Sequence, residues 1–120
     1  MYFTFQKLKD DFVFTDICPE LLDSILQKRD DLIGKTVDTA PYIGDKVKRK
    51  KLKQLYTLAW NQKKVLFYYS PYKKPDIFII TYLEPQKDEN QVTKVIGRCM
   101  LVYKKDLQYP LRHVDQFLSF

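Results

Sequence analysis

One stretch of the sequence concentrates most of its positive charge. Residues 46–75 contain ten basic side chains and no acidic one, whereas the whole chain of 120 residues carries a formal charge of only +6. The remaining residues therefore sum to −4. Basic side chains neutralise phosphates and aromatic rings stack on bases, so this stretch favours a nucleic-acid contact. The predicted contact residues here are Lys46, Lys48, Arg49, Lys50, Lys51, Lys53, Lys63, Lys64, Lys73, Lys74 and Tyr72.

The alternative for these lysines is that they only keep one helix face solvated. If they do bind nucleic acid, we expect strong salt dependence and weak sequence selectivity, because lysine acts as a point charge and few side chains able to read bases stand on the basic helix.

Catalytic patterns are weak by comparison. His113 and Asp115 would share a face of a strand without pointing at each other, and no nucleophile stands beside them. Glu84 lacks the nearby lysine that a metal-dependent nuclease core needs. We therefore predict no catalytic residue, and a small basic RNase toxin remains only as an alternative.

Metal, cofactor and membrane signals are also lacking. Cys18 and Cys99 stand far apart in a chain with a single histidine, too few soft ligands for a zinc site. Three glycines do not build a phosphate-cradling loop. The apolar run 65–72 is shorter than the roughly 20 residues of a membrane span. We expect no metal, no cofactor, no membrane contact and a cytoplasmic location.

The periodicity of apolar residues predicts two amphipathic helices. The first begins after Cys18, with a proline in its first turn, and ends before Gly34. The second runs from about Lys46 to Gln62, with Asp45 at its N-cap and one apolar stripe facing the core.

Apolar and aromatic runs with alternating polarity predict strands. A glycine within the last run indicates a β-bulge or a close backbone approach at Gly97. The predicted strands lie within residues 1–14, 65–69, 77–83, 92–96 and 98–103.

These elements predict an α+β fold with the amphipathic helices in the N-terminal half, followed by a small antiparallel sheet able to curl into a barrel. With 45% hydrophobic residues, the chain has enough apolar side chain for one core. We expect a single domain over residues 1–120, made of a strand and helix part at 1–44 and the basic helix plus sheet at 45–120.

Four segments of the chain share a pattern with a known family: Leu55–Tyr69, Ile79–Pro85, Val95–Cys99 and Leu111–Phe117. With them, residues 52–117 resemble a WYL domain, the small Sm-like or SH3-like barrel found in bacterial transcription regulators. Residues 93–95 read Thr-Lys-Val where that family has Trp-Tyr-Leu. The resemblance implies a ligand- or nucleic-acid-sensing module, with Arg112 and either Arg98 or His113 as the matching polar positions.

Taken together, the sequence predicts a non-enzymatic nucleic-acid-binding or regulatory protein, with DNA and RNA both open as partners. One alternative is a protein-interaction module, such as an inhibitor or adaptor from a mobile element, that binds an acidic partner. A homodimer is a further open alternative, since the apolar C-terminal residues Phe117, Leu118 and Phe120 would either close the core or dock onto a second subunit.

Overall fold

A five-stranded antiparallel sheet forms one side of the molecule in the computed structural model, which describes residues 1–107. The strands lie in the order β2-β1-β5-β4-β3. Two 3₁₀ turns are present as well: Arg29–Asp31 lies between the two helices, and Lys104–Leu107 follows the last described strand. The strands are β1 (Tyr2–Leu8), β2 (Asp11–Ile17), β3 (Val65–Tyr69), β4 (Ile77–Asp88) and β5 (Gln91–Tyr103), and the helices are α1 (Pro19–Ile25) and α2 (Lys46–Trp60).

The predicted fold class is wrong in its layout. The helices do not precede the sheet, because β1 and β2 come first and β1 pairs with both β2 and β5. The sheet is open and not a barrel, since β2 and β3 stand at its two edges. The N-terminal strand thus joins the C-terminal hairpin, a non-local pairing that local periodicity does not reveal.

The hairpin of β4 and β5 is longer than predicted. Glu89 and Asn90 both adopt positive φ values, 50° and 67°, as a two-residue hairpin turn of the type I′ kind requires. The pairing runs from Asp88 opposite Gln91 to Ile77 opposite Tyr103, so β5 is one continuous strand.

The core lies between the inner face of the sheet and the two helices. Alternation along each strand points Phe5, Ile79 and Val95 inward, and all three are fully buried. The apolar stripe of α2 packs on them, and the Tyr56 ring stacks on Phe5 with centroids 4.1 Å apart.

Gly97 marks a close approach and not a bulge. The irregularity in the pairing of β4 and β5 lies at Gln86 and Lys87 instead. A Cβ on Gly97 would stand only 2.2 Å from Cε1 of the Phe3 ring. The glycine is therefore needed so that the Phe3 ring can approach the backbone of β5 this closely.

Helix ends follow from local chemistry. The Asp45 side chain accepts a hydrogen bond from the Lys48 backbone N–H at 2.9 Å and caps α2, as predicted. The first helix is shorter than predicted, because Leu26 adopts a left-handed φ of 57° and ends α1. Within residues 1–107, no helix is both long and apolar enough to cross a bilayer.

Candidate ligand pocket and basic surface

A cavity of about 70 Å³ lies between the inner face of the sheet and the two helices. Phe3 and Phe67 line it from the sheet, Leu21 and Ile25 from α1, and Tyr56 from α2. At roughly 15 Å³ per water molecule, this space has room for about five waters or for a small organic molecule. The walls are mostly aliphatic and aromatic, which suits a compact apolar ligand.

One polar atom faces this cavity without a partner. Gln27 lines the cavity, and its Oε1 atom is buried with no hydrogen-bond donor among the described residues. The left-handed Leu26 reverses the chain at the end of α1, and the Gln27 N–H then bonds to the Leu22 carbonyl at 3.1 Å. This local turn fixes the position of the Gln27 backbone, from which its side chain extends. A buried acceptor left unpaired costs about 1–3 kcal/mol, so a donor placed in the cavity would be stabilised there.

Two exposed tyrosines mark the opening of the cavity to the surface. Tyr42 and Tyr72 both line it, and they are 43% and 69% exposed. Their ring centroids lie 5.8 Å apart, and the Lys73 ammonium sits 3.9 Å above the Tyr42 ring. Tyr42 also has a φ of 61°, an uncommon value for a residue with a side chain. The opening is therefore framed by two rings from different loops.

The interior of the cavity is electrically neutral. Burial raises the pKa of Tyr56 and of Tyr69 well above the ordinary tyrosine value, so both hydroxyls stay protonated at physiological pH. Among the described residues that line the cavity, none carries a charge. The described residues also contain no cluster of three or more side chains suited to a metal ion. These features favour an uncharged ligand.

The basic residues predicted from sequence divide into two groups. Exposed lysines on α2 and just beyond it form the first group, and they make no ion pair within residues 1–107. We call this group the α2 lysine surface. It consists of Lys46, Lys48, Lys50 and Lys51, with Lys63 and Lys64 after the helix end.

The second group contacts the loop that precedes α2. The Arg49 guanidinium donates to the backbone carbonyls of Val37, Asp38 and Gly44, each at 2.8 Å. Lys53 pairs with the Asp38 carboxylate at 2.7 Å. Arg49 and Lys53 therefore hold the loop before α2 against the helix and are not free to meet a partner.

The remaining predicted residues lie elsewhere. Lys74 pairs with Asp76 at 3.4 Å, and Lys73 with Tyr72 belongs to the cavity opening. Arg98 stands on the outer face of the sheet, where it binds Glu84. Arg112, together with His113 and Phe117, lies outside the described residues. No finding tests the phosphate contacts assigned to these side chains, which stay a prediction.

Sequence reasoning missed the cavity. The aromatic excess of the chain, 15% of residues, is compatible with an aromatic-walled site, but it does not say which rings meet. Nothing in the sequence singles out Gln27, whose position depends on the left-handed turn at Leu26.

The fold has relatives among solved structures. The PAS domain of BvgS from Bordetella pertussis matches with a TM-score of 0.65 and 16% identity, covering 92% of this chain and 84% of that chain. A domain of an HTR-like protein from Haloarcula marismortui ATCC 43049 matches with a TM-score of 0.54 and 8% identity, covering 83% of this chain and 97% of that one. No protein-family model matches the chain, and no curated protein sequence matches it.

These relatives overturn the resemblance to a WYL domain. The open sheet in the order β2-β1-β5-β4-β3 is unlike an Sm-like or SH3-like barrel, and the two structural neighbours described above are a PAS domain and a domain of an HTR-like protein. The interpretation as a DNA-binding regulator of the WYL type is therefore wrong. The chain has a PAS-like fold.

Proposed function

We propose that this chain is a non-enzymatic sensory or signalling module that holds a small ligand in its cavity. PAS domains are typically sensory and interaction modules, which supports this proposal and the prediction that the chain is not an enzyme. Its cytoplasmic location stays a prediction.

The observation that carries the proposal is the unpartnered Gln27 Oε1 in a mostly apolar and aromatic cavity. An acceptor of this kind selects a ligand that brings one hydrogen-bond donor on an apolar or aromatic body. The neutral interior disfavours a charged ligand, since an unpaired ion would lose its hydration on entry. The ligand class is therefore a small, uncharged hydroxyl- or NH-bearing molecule.

Phenol and benzene form a matched pair of probes for this class, because they differ only in the hydroxyl donor. We expect the intact chain to bind phenol about 3- to 10-fold more tightly than benzene in calorimetric titrations, the range that one neutral hydrogen bond provides. In Gln27→Leu, which removes the acceptor, this preference should disappear while benzene still binds.

The control is Gln54→Leu, the same change at an exposed position on α2, which should leave the phenol preference intact. The proposal fails if neither probe binds at millimolar concentration. It also fails if Gln27→Leu keeps the full preference for phenol.

The α2 lysine surface supports a second candidate function, contact with an acidic protein partner. Its lysines are exposed and make no ion pair within residues 1–107, so they are available to carboxylates on another molecule. The structural neighbours give no support to a nucleic-acid partner, so the phosphate contacts stay an untested prediction.

A hexaglutamate peptide is the simplest probe of this second function. We expect binding that weakens steeply with salt and is lost in the triple variant Lys46→Glu, Lys50→Glu and Lys51→Glu. Reversing Lys7, Lys9 and Lys94, three exposed lysines outside α2, serves as the charge control because it changes the net charge by the same amount. Equal losses in both variants would show only a general charge effect and would contradict the assignment to α2.

A further inference from the structure

The Tyr56 side chain brings a second polar group to the cavity, in addition to the Gln27 oxygen. Tyr56 lines the cavity and is only 2% exposed. Its hydroxyl has no hydrogen-bond partner within residues 1–107. Gln27 reaches the cavity from the turn that ends α1, whereas Tyr56 reaches it from the buried face of α2. Side chains with an unpaired acceptor and an unpaired hydroxyl therefore line the cavity from two different elements.

Aromatic packing fixes the direction of the Tyr56 hydroxyl. The Tyr56 ring stacks on Phe5, with centroids 4.1 Å apart and ring planes 13° apart. Phe12 and Phe14 meet the ring edge-on, with centroids 5.9 and 6.3 Å away. A ring with these contacts has few orientations, so its hydroxyl is held in place before a ligand arrives and little conformational entropy is lost on binding.

The Tyr56 hydroxyl keeps its proton and can therefore donate a hydrogen bond. Burial is the main cause that raises the pKa of Tyr56, and the neighbouring Tyr69 and Cys99 groups add to it. The Gln27 oxygen can only accept, so it takes the donor that the ligand brings. The Tyr56 proton then needs an acceptor of its own, because a buried donor without a partner is costly.

We propose that Tyr56 is a specificity-determining residue whose hydroxyl donates to an ether or carbonyl oxygen of the ligand. This inference rests on the proposed ligand cavity and narrows its ligand class. The ligand is a small uncharged molecule with a hydroxyl or NH donor for Gln27 and, elsewhere on its body, an oxygen acceptor for Tyr56. An analogue without that oxygen leaves the hydroxyl unpaired in a buried site, which is the situation in which binding sites discriminate most strongly.

A neutral oxygen suits the Tyr56 hydroxyl better than a carboxylate does. Among the described residues that line the cavity none is cationic, so a buried carboxylate would lack a counter-charge. Ether and carbonyl oxygens accept the same hydrogen bond without the cost of burying an unpaired ion. The ligand is therefore neutral at both of its polar positions.

Methoxyphenol and ethylphenol form a matched pair of probes, because they differ only in an ether oxygen that replaces a methylene group. The meta and para isomers of each sample two positions for this oxygen. In calorimetric titrations of the full chain, we expect at least one methoxyphenol isomer to bind about 3- to 10-fold more tightly than its ethylphenol counterpart. Tyr56→Phe, which keeps the ring and removes the hydroxyl, should abolish this preference while ethylphenol still binds.

Two control variants separate this hydroxyl from the rest of the molecule. Tyr82→Phe removes a hydroxyl on the outer face of the sheet, where Tyr82 is 38% exposed, and should leave the methoxyphenol preference intact. Gln27→Leu should weaken both probes about equally and retain the preference, because the two polar groups contact different atoms of the ligand. In the intact chain with ¹³C-labelled tyrosine, the Cζ signal of Tyr56 should shift more with methoxyphenol than with ethylphenol. Circular dichroism checks that each variant folds.

Three outcomes would overturn the role of Tyr56. Equal affinity for methoxyphenol and ethylphenol in both isomers, with the Gln27-dependent preference for phenol over benzene still present, would refute this role and leave the proposed function standing. An undiminished methoxyphenol preference in Tyr56→Phe would place the donor elsewhere. Absence of binding by every phenol would refute the ligand cavity and the role of Tyr56 together.

Discussion

Replacing Gly97 by alanine tests how tightly β1 packs against β5. The new Cβ would lie 2.2, 2.4 and 2.8 Å from three carbons of the Phe3 ring, whereas ordinary contacts begin near 3.4 Å. The ring would therefore have to move by about 1.2 Å. The ring also packs against Phe14 and Tyr56 with centroids 6.1 and 6.3 Å away, so its shift would disturb these contacts and intrude on the cavity that all three rings line.

The expected loss of stability is about 1–3 kcal/mol, the usual range for overpacking a core. The lower backbone entropy of an unfolded alanine would offset up to about 1 kcal/mol of it. At roughly 4 °C per kcal/mol for a chain of this size, the melting temperature of Gly97→Ala should fall by about 4–12 °C. Urea unfolding followed by circular dichroism should show a lower midpoint at an unchanged slope.

A double-mutant cycle isolates the contact itself. Phe3→Leu removes the ring, so Gly97→Ala should cost at least about 1 kcal/mol less in that background than in the native chain. Gly34→Ala is the matched control, because Gly34 has a φ of +80° but no atom within 4 Å of the new Cβ. It should lose stability from backbone strain and show no coupling to Phe3. A Gly97→Ala variant within about 0.5 kcal/mol of the native chain, or an uncoupled one, would refute the reasoning.

Three further predictions follow from single contacts. Arg49→Lys should destabilise the chain by about 1–2 kcal/mol in urea unfolding, since an ammonium does not reproduce three carbonyl contacts; an unchanged midpoint would contradict the structural role of Arg49. Asp45→Ala should cost about 1 kcal/mol by loss of the α2 cap, and Asp45→Asn should retain most of the stability; equal losses in the two would argue against capping. Burial raises the pKa of Cys99 from 9.0 to about 11, so its iodoacetamide labelling at pH 8 should be about 100-fold slower in the native chain than in urea. Because the folded state disfavours the thiolate, the stability linked to Cys99 is full below pH 9 and is lost as the pH rises toward 11. Equal labelling rates in both states would contradict this burial.

Local features of the fold were predictable from the sequence. The cap at Asp45, the apolar stripe of α2 and the bounds of β3 follow from neighbouring residues, and the structure confirms them. The N-terminal aromatic run was correctly interpreted as strand. These features depend on interactions a few residues apart, which periodicity and capping rules capture.

Non-local features were not predictable in the same way. The insertion of β1 between β2 and β5 joins residues more than ninety positions apart, such as Tyr2 and Arg98. The segments that resemble a WYL domain led to a wrong fold prediction. Alternating apolar residues that end near a proline are typical of half-buried strands in many folds. The single-domain boundary over residues 1–120 stays a prediction.

The candidate site shows the same division. The sequence located the lysines on α2 but not the loop carbonyls that engage Arg49. The cavity forms where rings from strands and helices meet around Gln27. Tertiary packing buries the Gln27 Oε1 atom, which has no hydrogen-bond donor among the described residues.

The most direct test of the ligand cavity is a ¹H–¹⁵N correlation titration of the full chain with phenol. We predict saturable shifts at Gln27, Leu21, Ile25 and Tyr56, which line the cavity, and a higher half-saturation concentration of phenol at Leu21, Ile25 and Tyr56 in Gln27→Leu. Shifts confined to the α2 lysine surface or to the outer face of the sheet would contradict the account, as would the absence of any saturable shift.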